Sequence, residues 1–443
     1  MMMKYKSKRM LLAFGALACL AVAVSCYLGL RYAQTAGAIG DIRIHRLPLR
    51  GDPYSVTISP DGSTVATLGF VSGAPADAIE IWDVTSGHEV NKVYLPKVSW
   101  DKGGQLRVSP LLQFCDQGKY LAAFDRLNKI YIIDTKDYTV HAAIALAEIP
   151  VGLHQGGTPR PLREVSGYNA IELSCSAGSA FAALRVWMNG KNVVKVFDFD
   201  AGAETADLTE SFDGIQGDGV AISPDGSKVA ADVWNMQPAG PYDEYDEVAE
   251  VVDRASGKLI QRLDFGDRKG LNRYQLSFSG ENALVVGLPL CQKVMCDDSV
   301  MPYGRTIRVL EPQSKEQIKT FGAEGAEAYR FSGASADGRE VFGYTGVEKF
   351  CRDCNGVSGE LKITNARFTV WDRESGKILV RSPKLRVQQH KCHWLVLGAC
   401  EDSESVPDLQ LSDNGKSVVA LWPNFDRPGQ DKLVGEIQVF SWR

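Results

Sequence analysis

Beyond residue 41, short apolar runs alternate with polar residues at period two, separated by clusters of Gly, Pro, Asp and Ser. The first unit shows the pattern: Ser55-Val56-Thr57-Ile58, then Thr64-Val65-Ala66-Thr67-Leu68, then Ile79-Glu80-Ile81-Trp82-Asp83, then Glu89 to Leu95. Alternation of this kind, rich in β-branched and aromatic side chains and bounded by turn formers, predicts strands that bury one face. No stretch past the N-terminus sustains a 3.6-residue period, which argues against helical repeats.

The unit recurs. Ser59-Pro60-Asp61-Gly62 and Ser223-Pro224-Asp225-Gly226 occupy the same place in it. The turn after each first run is marked by Gly62, Gly118, Gly178, Gly226, Gly280, Gly338 and Gly415, at intervals of 48 to 77 residues. Proline pre-sets φ for a tight turn, and Asp-Gly supplies positions where φ is near or above zero. Third runs end alike, at Trp82-Asp83, Ile133-Asp134, Phe197-Asp198, Val252-Asp253, Leu310-Glu311 and Trp371-Asp372. A short turn such as Thr85-Ser86-Gly87 or Glu374-Ser375-Gly376 then leads to the fourth run. Seven units of four strands predict an all-β, seven-bladed β-propeller. The last unit has only three runs before the chain stops. The lone run from Ile42 to Leu49 supplies the missing fourth strand in a 3+1 closure that leaves no gap in the ring. One domain over 41–443 is expected, preceded by a segment over 1–40.

The Ser-Pro-Asp-Gly turns, the Trp-Asp ends of third strands and the 3+1 closure resemble WD40-type propellers. They also resemble the wider group of bacterial, extracytoplasmic propellers with YVTN-type repeats or amine-dehydrogenase-like β subunits. The resemblance covers residues 41 to 443. The chain departs from strict WD40 repeats in its longer units and in lacking Gly-His at the usual place.

The N-terminus changes the picture. Lys4, Lys6, Lys8 and Arg9 precede Met10 to Leu30, a run of 21 uncharged residues. In a helix such a run spans about 30 Å, enough to cross a bilayer, with the flanking positives kept on the cytoplasmic side. The expectation is a single-pass anchor with the propeller in the periplasm or at the cell surface. The alternative is a signal peptide cleaved near Ala38, after Ala36-Gly37-Ala38. Elsewhere, 49 basic and 54 acidic residues are spread without long runs of one sign, which argues against nucleic acid as a partner.

Apart from Cys19 and Cys26, eight cysteines remain, an even number that suits disulfides in an exported protein. Cys291 with Cys296, Cys351 with Cys354 and Cys392 with Cys400 fall in three inserted loops and are disulfide candidates. A zinc site from Cys351, Cys354, Cys392, His393 and Cys400 is the rival use of some of them. Cys115 and Cys175, each just before the first turn of neighbouring units, are expected to be free and buried, because a bond needs Cα atoms within about 7 Å.

In a propeller, turns between the first and second strands and between the third and fourth share one face; here they are short. The other face carries the insertions Lys97–Ser109, Ala147–Tyr168, Met236–Glu247, Pro289–Arg305, Gly346–Ala366, Lys384–Val406 and Pro423–Val434. Long loops on one face of a repeat scaffold point to a binding face. Trp100, His154, Tyr242, Tyr245, Tyr303, Trp394 and Trp422 are candidate anchors there. The acidic stretch Asp243 to Glu247 lacks a calcium-loop pattern and is expected to be a solvated loop. No Ser-His-Asp set, phosphate loop or paired-histidine metal motif occurs, and no catalytic residue or cofactor is expected. These features together predict a membrane-anchored extracytoplasmic scaffold that docks a protein partner in the cell envelope. The alternatives are a lactonase-like or amine-dehydrogenase-like enzyme or subunit, and a glycan or small-ligand binder.

Overall fold

A strand with alternating character buries its apolar side only against another sheet, so the repeating units must stack face to face. The computed structural model describes residues 38–48, 52–70, 77–95, 112–124, 129–145, 171–188, 191–212, 215–237, 244–264, 275–287, 307–310, 317–321, 327–351, 360–385, 408–422 and 436–443. These form seven four-stranded antiparallel sheets. Strand β1 (Ile42–Leu47) comes first in the chain. Blade 1 is β2 (Asp52–Ile58), β3 (Thr64–Phe70), β4 (Asp77–Asp83) and β5 (Glu89–Tyr94). Blade 2 is β6 (Leu112–Cys115), β7 (Tyr120–Phe124), β8 (Lys129–Asp134) and β9 (Thr139–Ala145). Blade 3 is β10 (Ile171–Cys175), β11 (Phe181–Met188), β12 (Lys191–Asp198) and β13 (Ala203–Asp207). Blade 4 is β14 (Ile215–Ile222), β15 (Lys228–Gln237), β16 (Glu244–Asp253) and β17 (Leu259–Asp264). Blade 5 is β18 (Gln275–Ser279), β19 (Ala283–Gly287), β20 (Ile307–Leu310) and β21 (Gln317–Phe321). Blade 6 is β22 (Glu327–Ala334), β23 (Glu340–Cys351), β24 (Glu360–Asp372) and β25 (Ile378–Arg381). Blade 7 is β26 (Asp408–Leu411), β27 (Ser417–Trp422) and β28 (Glu436–Trp442), with β1 paired to β28 from Ile42↔Trp442 to Leu47↔Ile437.

The first strand of each blade touches the first strand of the next, and β26 touches β2, so the sheets close into a ring. The core lies between blades. At the junction of blades 7 and 1, Val56, Ile58, Val65 and Trp82 pack on Val419, Leu421, Ile437 and Val439. At the junction of blades 5 and 6, Val285, Val309 and Phe321 pack on Val341 and Trp371. The fifth residue of each second strand faces such a junction, and blades 1, 2, 6 and 7 place Leu68, Phe124, Tyr344 and Leu421 there. Blades 3 and 4 place Arg185 and Asp232 instead, both fully buried and joined at 2.7 Å. Arg185 Nη1 also donates to the Gly219 carbonyl at 2.7 Å, and Asp232 accepts the Gly219 amide at 2.6 Å. The backbone bonds offset part of the cost of taking the pair out of water, although Arg185 Nε and Nη2 are buried without a hydrogen bond among the described residues.

The turns follow the sequence. Asp83, Asp253 and Asp372, at the ends of third strands, each accept the amide of the serine three residues on. That bond holds the Asp83 and Asp253 carboxyls below the usual range, with the Ser86 amide as the largest influence on the first and the Ser256 hydroxyl on the second. At the glycines after first strands, two demands coincide. Gly338 has φ of +74°, and a Cβ there would sit 2.9 Å from the Gly280 amide nitrogen and the Ser279 carbonyl carbon of blade 5.

Two expectations are revised. The described residues of Met236–Glu247 and Gly346–Ala366 are strand rather than loop. In blade 4, Trp234 to Gln237 pair with Glu247 to Glu244, so most of the acidic stretch is a strand extension. In blade 6 the hairpin runs on to Cys351↔Glu360. Insertions of matched length on both arms satisfy their backbone groups by continuing the ladder. Second, Cys115 and Cys175 are disulfide-bonded, with Cα atoms 5.1 Å apart. The ends of β6 and β10 are drawn together because the Asp116 amide donates to Ser176 and the Gln117 amide to Ala177, at 2.9 and 2.6 Å. Both donors take left-handed φ, 50° and 54°, which aims their amides at the next blade.

No helix among the described residues is long and apolar enough to cross a membrane, and the expected anchor over Met10–Leu30 lies outside them.

Gly338→Ala is expected to lower unfolding stability by more than about 2 kcal/mol, since backbone atoms of blade 5 cannot yield. Gly87→Ala, at φ +68° with only the Arg46 carbonyl at 3.9 Å, should cost about 1 kcal/mol. Urea unfolding of the two variants checks the difference. Reducing or replacing the Cys115–Cys175 bridge, which closes 60 residues, should cost about 3–4 kcal/mol. The bridge is checked by mass spectrometry after alkylation with and without reductant, where retention of both labels without reductant would refute it.

Candidate functional site

The two faces of the ring are built differently. On the short-turn face, the turns after first strands meet around the axis and bond to one another. Asn414 donates to the Pro60 carbonyl at 3.0 Å, joining blades 7 and 1, and Ala336 to that of Asp413 at 2.9 Å, joining 6 and 7. Gly178 donates to Pro224 at 2.8 Å across blades 3 and 4, and the Asp116 and Gln117 amides join 2 to 3. Ser279 Oγ reaches the Gly338 carbonyl at 3.3 Å across 5 and 6, and the Asp225 amide reaches Glu281 at 3.4 Å across 4 and 5. Between blades 1 and 2 the contact is steric: a Cβ on Gly118 would meet the Pro60 ring at 3.1 Å.

This ring of turns surrounds a cavity of about 540 Å³, lined by the turns of every blade but the fifth. Its walls are apolar at Pro60, Ala177, Pro224 and Ala336, and acidic at Asp61, Asp337 and Asp413. No lysine or arginine lines it. The lysines of the same turns point to neighbouring blades instead, while Arg339 pairs with Asp337 of its own turn at 3.5 Å. Lys119 pairs with Asp200 at 2.6 Å, Lys416 with Glu340 at 3.0 Å, and Lys228 donates to the Glu281 carbonyl at 2.7 Å.

The three carboxylates differ in what holds them. In Ser-x-Asp-Gly turns the aspartate accepts the preceding serine hydroxyl and the amide two residues on: Ser59 and Ser63 for Asp61, Ser335 and Arg339 for Asp337. For Asp61 these bonds outweigh burial, which acts the other way, and keep the carboxyl below its ordinary range. In Asp225 the same balance lowers the value to about 2. Blade 7 reads Ser412-Asp413-Asn414-Gly415, so Asn414 performs the turn role, accepting Ser412 Oγ at 2.8 Å and the Lys416 amide at 2.9 Å. Asp413 therefore stands where other blades have Pro60, Pro224 or Ala336. Its carboxyl has no hydrogen bond or ion pair among the described residues, and burial raises it to about 6.

The long-loop face carries the extended hairpins β15–β16 and β23–β24. Of the sequence-predicted residues, Tyr245 lies on β16 opposite Met236, and Cys351 ends β23 opposite Glu360. Trp422 is core, packed between blades 6 and 7. Trp100, His154, Tyr242, Tyr303 and Trp394 lie outside the described residues, as do Cys291, Cys296, Cys354, Cys392, His393 and Cys400. Among the described residues no group of three His, Cys, Asp or Glu side chains is placed to hold a metal ion. Sequence reasoning missed Asp413; the signal available was Asp413-Asn414 standing where blades 1 and 4 have Pro60-Asp61 and Pro224-Asp225.

No protein-family profile and no curated protein matches the chain. Among solved structures it is similar to the β-propeller domain of Cps50 (Swd1) from Myceliophteria thermophila. The two share 13% identity over 90% of this chain and 100% of that one, with a TM-score of 0.50. It is also similar to U3-55K, at 14% identity over 90% and 98% with a TM-score of 0.49, and to the WD40 repeats of RRP9, at 14% over 91% and 98% with 0.49. The fold is that of a seven-bladed β-propeller. At such identities the likeness extends to the fold alone.

The raised carboxyl has a consequence for stability. Between about pH 4 and pH 6 native Asp413 keeps a proton that the unfolded chain gives up, so its contribution falls as pH rises through that window. Asp413→Asn should therefore stabilise the fold by about 1–2 kcal/mol at neutral pH, discounted for solvent reaching the cavity, and by almost nothing near pH 4. Thermal unfolding of both proteins across pH reads this directly.

Proposed function

We propose that the chain is a protein-interaction scaffold that docks a partner through its long-loop face, held on the extracytoplasmic side of a cell membrane by its N-terminal apolar segment. The observation that carries the docking reading is the asymmetry of the ring. On one face the inner turns are short and bonded to one another, which leaves little freedom for recognition by loops. On the other, the hairpins of blades 4 and 6 extend past the sheets, over Trp234–Gln237 with Glu244–Glu247 and over Val347–Cys351 with Glu360–Thr364. Paired strands of this length offer a partner a pre-ordered surface at low entropic cost. The similar solved chain of Cps50 (Swd1) is a β-propeller, a fold that serves many functions, so the likeness agrees with the reading without carrying it.

The compartment rests on separate support: the uncharged run Met10–Leu30 after four positive residues, and a Cys115–Cys175 bridge that suits an oxidising space.

The test compares the intact chain with one whose blade 6 hairpin is cut back by joining Thr345 to Arg367 through an Asn-Gly turn. Both are crosslinked in cells and purified from detergent-solubilised membranes. A partner captured by the intact chain and lost from the shortened one, with thermal unfolding unchanged, is the expected result. Equal capture by both would move docking off this hairpin.

A further inference from the structure

We propose that the cavity at the centre of the short-turn face receives the protonated end of a lysine or arginine side chain presented by another polypeptide, with Asp413 as the carboxylate that pairs with it. The site lies on the face opposite the proposed docking surface and does not depend on that surface.

Three features of the cavity point to a cation. Its ionisable lining is wholly acidic, at Asp61, Asp337 and Asp413. The lysines of the same turns are engaged on neighbouring blades, Lys119 with Asp200, Lys416 with Glu340 and Lys228 with Glu281, and Arg339 pairs with Asp337 of its own turn at 3.5 Å. And one carboxylate is left over. Asp61 and Asp337 are committed to serine hydroxyls and backbone amides within their own turns, whereas the turn of blade 7 is closed by Asn414. Asp413, half-buried, lines the cavity without a hydrogen bond or ion pair among the described residues. A half-buried carboxyl without a partner gives up part of its hydration, and an arriving cation recovers some of that loss.

The same features choose the kind of cation. A bare divalent ion needs several ligands converging at about 2–2.6 Å, and no such group of side chains exists among the described residues. A single free carboxylate matches a single positive charge. About 540 Å³ is far more than an ion fills, and Pro60, Ala177, Pro224 and Ala336 supply apolar walls for a methylene stem behind the charged end. Asp61, held ionised by Ser59 and Ser63, adds to the attraction without being spent on the contact. The walls are preorganised, because the turns that form them are bonded to one another around the axis.

The experiment is isothermal titration of the detergent-solubilised full chain with acetylated, amidated Gly-Lys-Gly and Gly-Arg-Gly. Their uncharged counterparts, with norleucine and citrulline, serve as controls. Saturable binding of at least one basic tripeptide is expected, weaker by about tenfold or more for its neutral counterpart and in Asp413→Asn. The variant is expected to be at least as stable as the parent at neutral pH, so lost binding there is not lost folding. Asp200→Asn, a carboxylate outside the cavity, should bind as the parent does. No saturable binding at millimolar peptide, equal binding of the neutral counterparts, or unchanged binding by Asp413→Asn would each overturn the proposal. Tighter binding of free cadaverine than of Gly-Lys-Gly would overturn the polypeptide source, and competition by micromolar calcium would overturn the organic cation.

Discussion

Everything in this propeller leans on the bonds between inner turns. A ring of sheets has no hydrogen-bonded ladder from blade to blade, so its circumference is held by side-chain packing and by whatever the backbones exchange at the axis. Here those exchanges occur at the turns after the first strands: Asn414 to Pro60, Ala336 to Asp413, Gly178 to Pro224, Asp116 to Ser176. A turn in this position must be tight, must leave an amide and a carbonyl free to face sideways, and must carry no side chain against its neighbour. Serine, proline, aspartate and glycine meet those demands in order, and a Cβ at Gly338 would breach the last of them.

That constraint also explains where the repeats are free to vary. Within a turn, the residue between serine and aspartate takes part through its backbone, so its side chain can be Pro60, Ala336 or Asp413 without altering the geometry. Between blades, the fifth position of the second strand needs only to fill its junction. Leu68 and Tyr344 do so by packing, Arg185 and Asp232 by pairing with each other and with Gly219. On third strands, Glu80 pairs with Lys92 and Glu250 with Arg262, while the charges reverse at Lys195 and Glu204. What is kept is complementarity at a position, whatever the residues that supply it.

The functional asymmetry follows from the same source. The face that holds the ring together is committed to holding it, and the acidic cavity opens there at the axis. The opposite ends of the strands carry no such duty. Chain added there lengthens hairpins, as in β15–β16 and β23–β24, without disturbing closure, which makes that face the natural place for a docking surface to grow.

The amino-acid sequence by itself determined the strands, their number and the turns between them, because these depend on neighbours a few residues away. Alternation in Thr64–Leu68 needs no distant partner to be read, and neither does the aspartate that caps the turn at Asp83. The tertiary structure alone decided three things that depend on distance across the ring. Cys115 and Cys175 are 60 residues apart in the chain, and only the turn bonds between blades 2 and 3 bring their Cα atoms to 5.1 Å. Gly346–Ala366 reads as an insertion until its two arms are seen to pair, since register is a property of both strands at once. Asp413 is one more aspartate in a polar turn until six turns converge around it. Among the described residues it has no partner because Lys416 of its own turn reaches Glu340 of blade 6 and the lysines of other turns reach their own neighbours, and no local pattern records that.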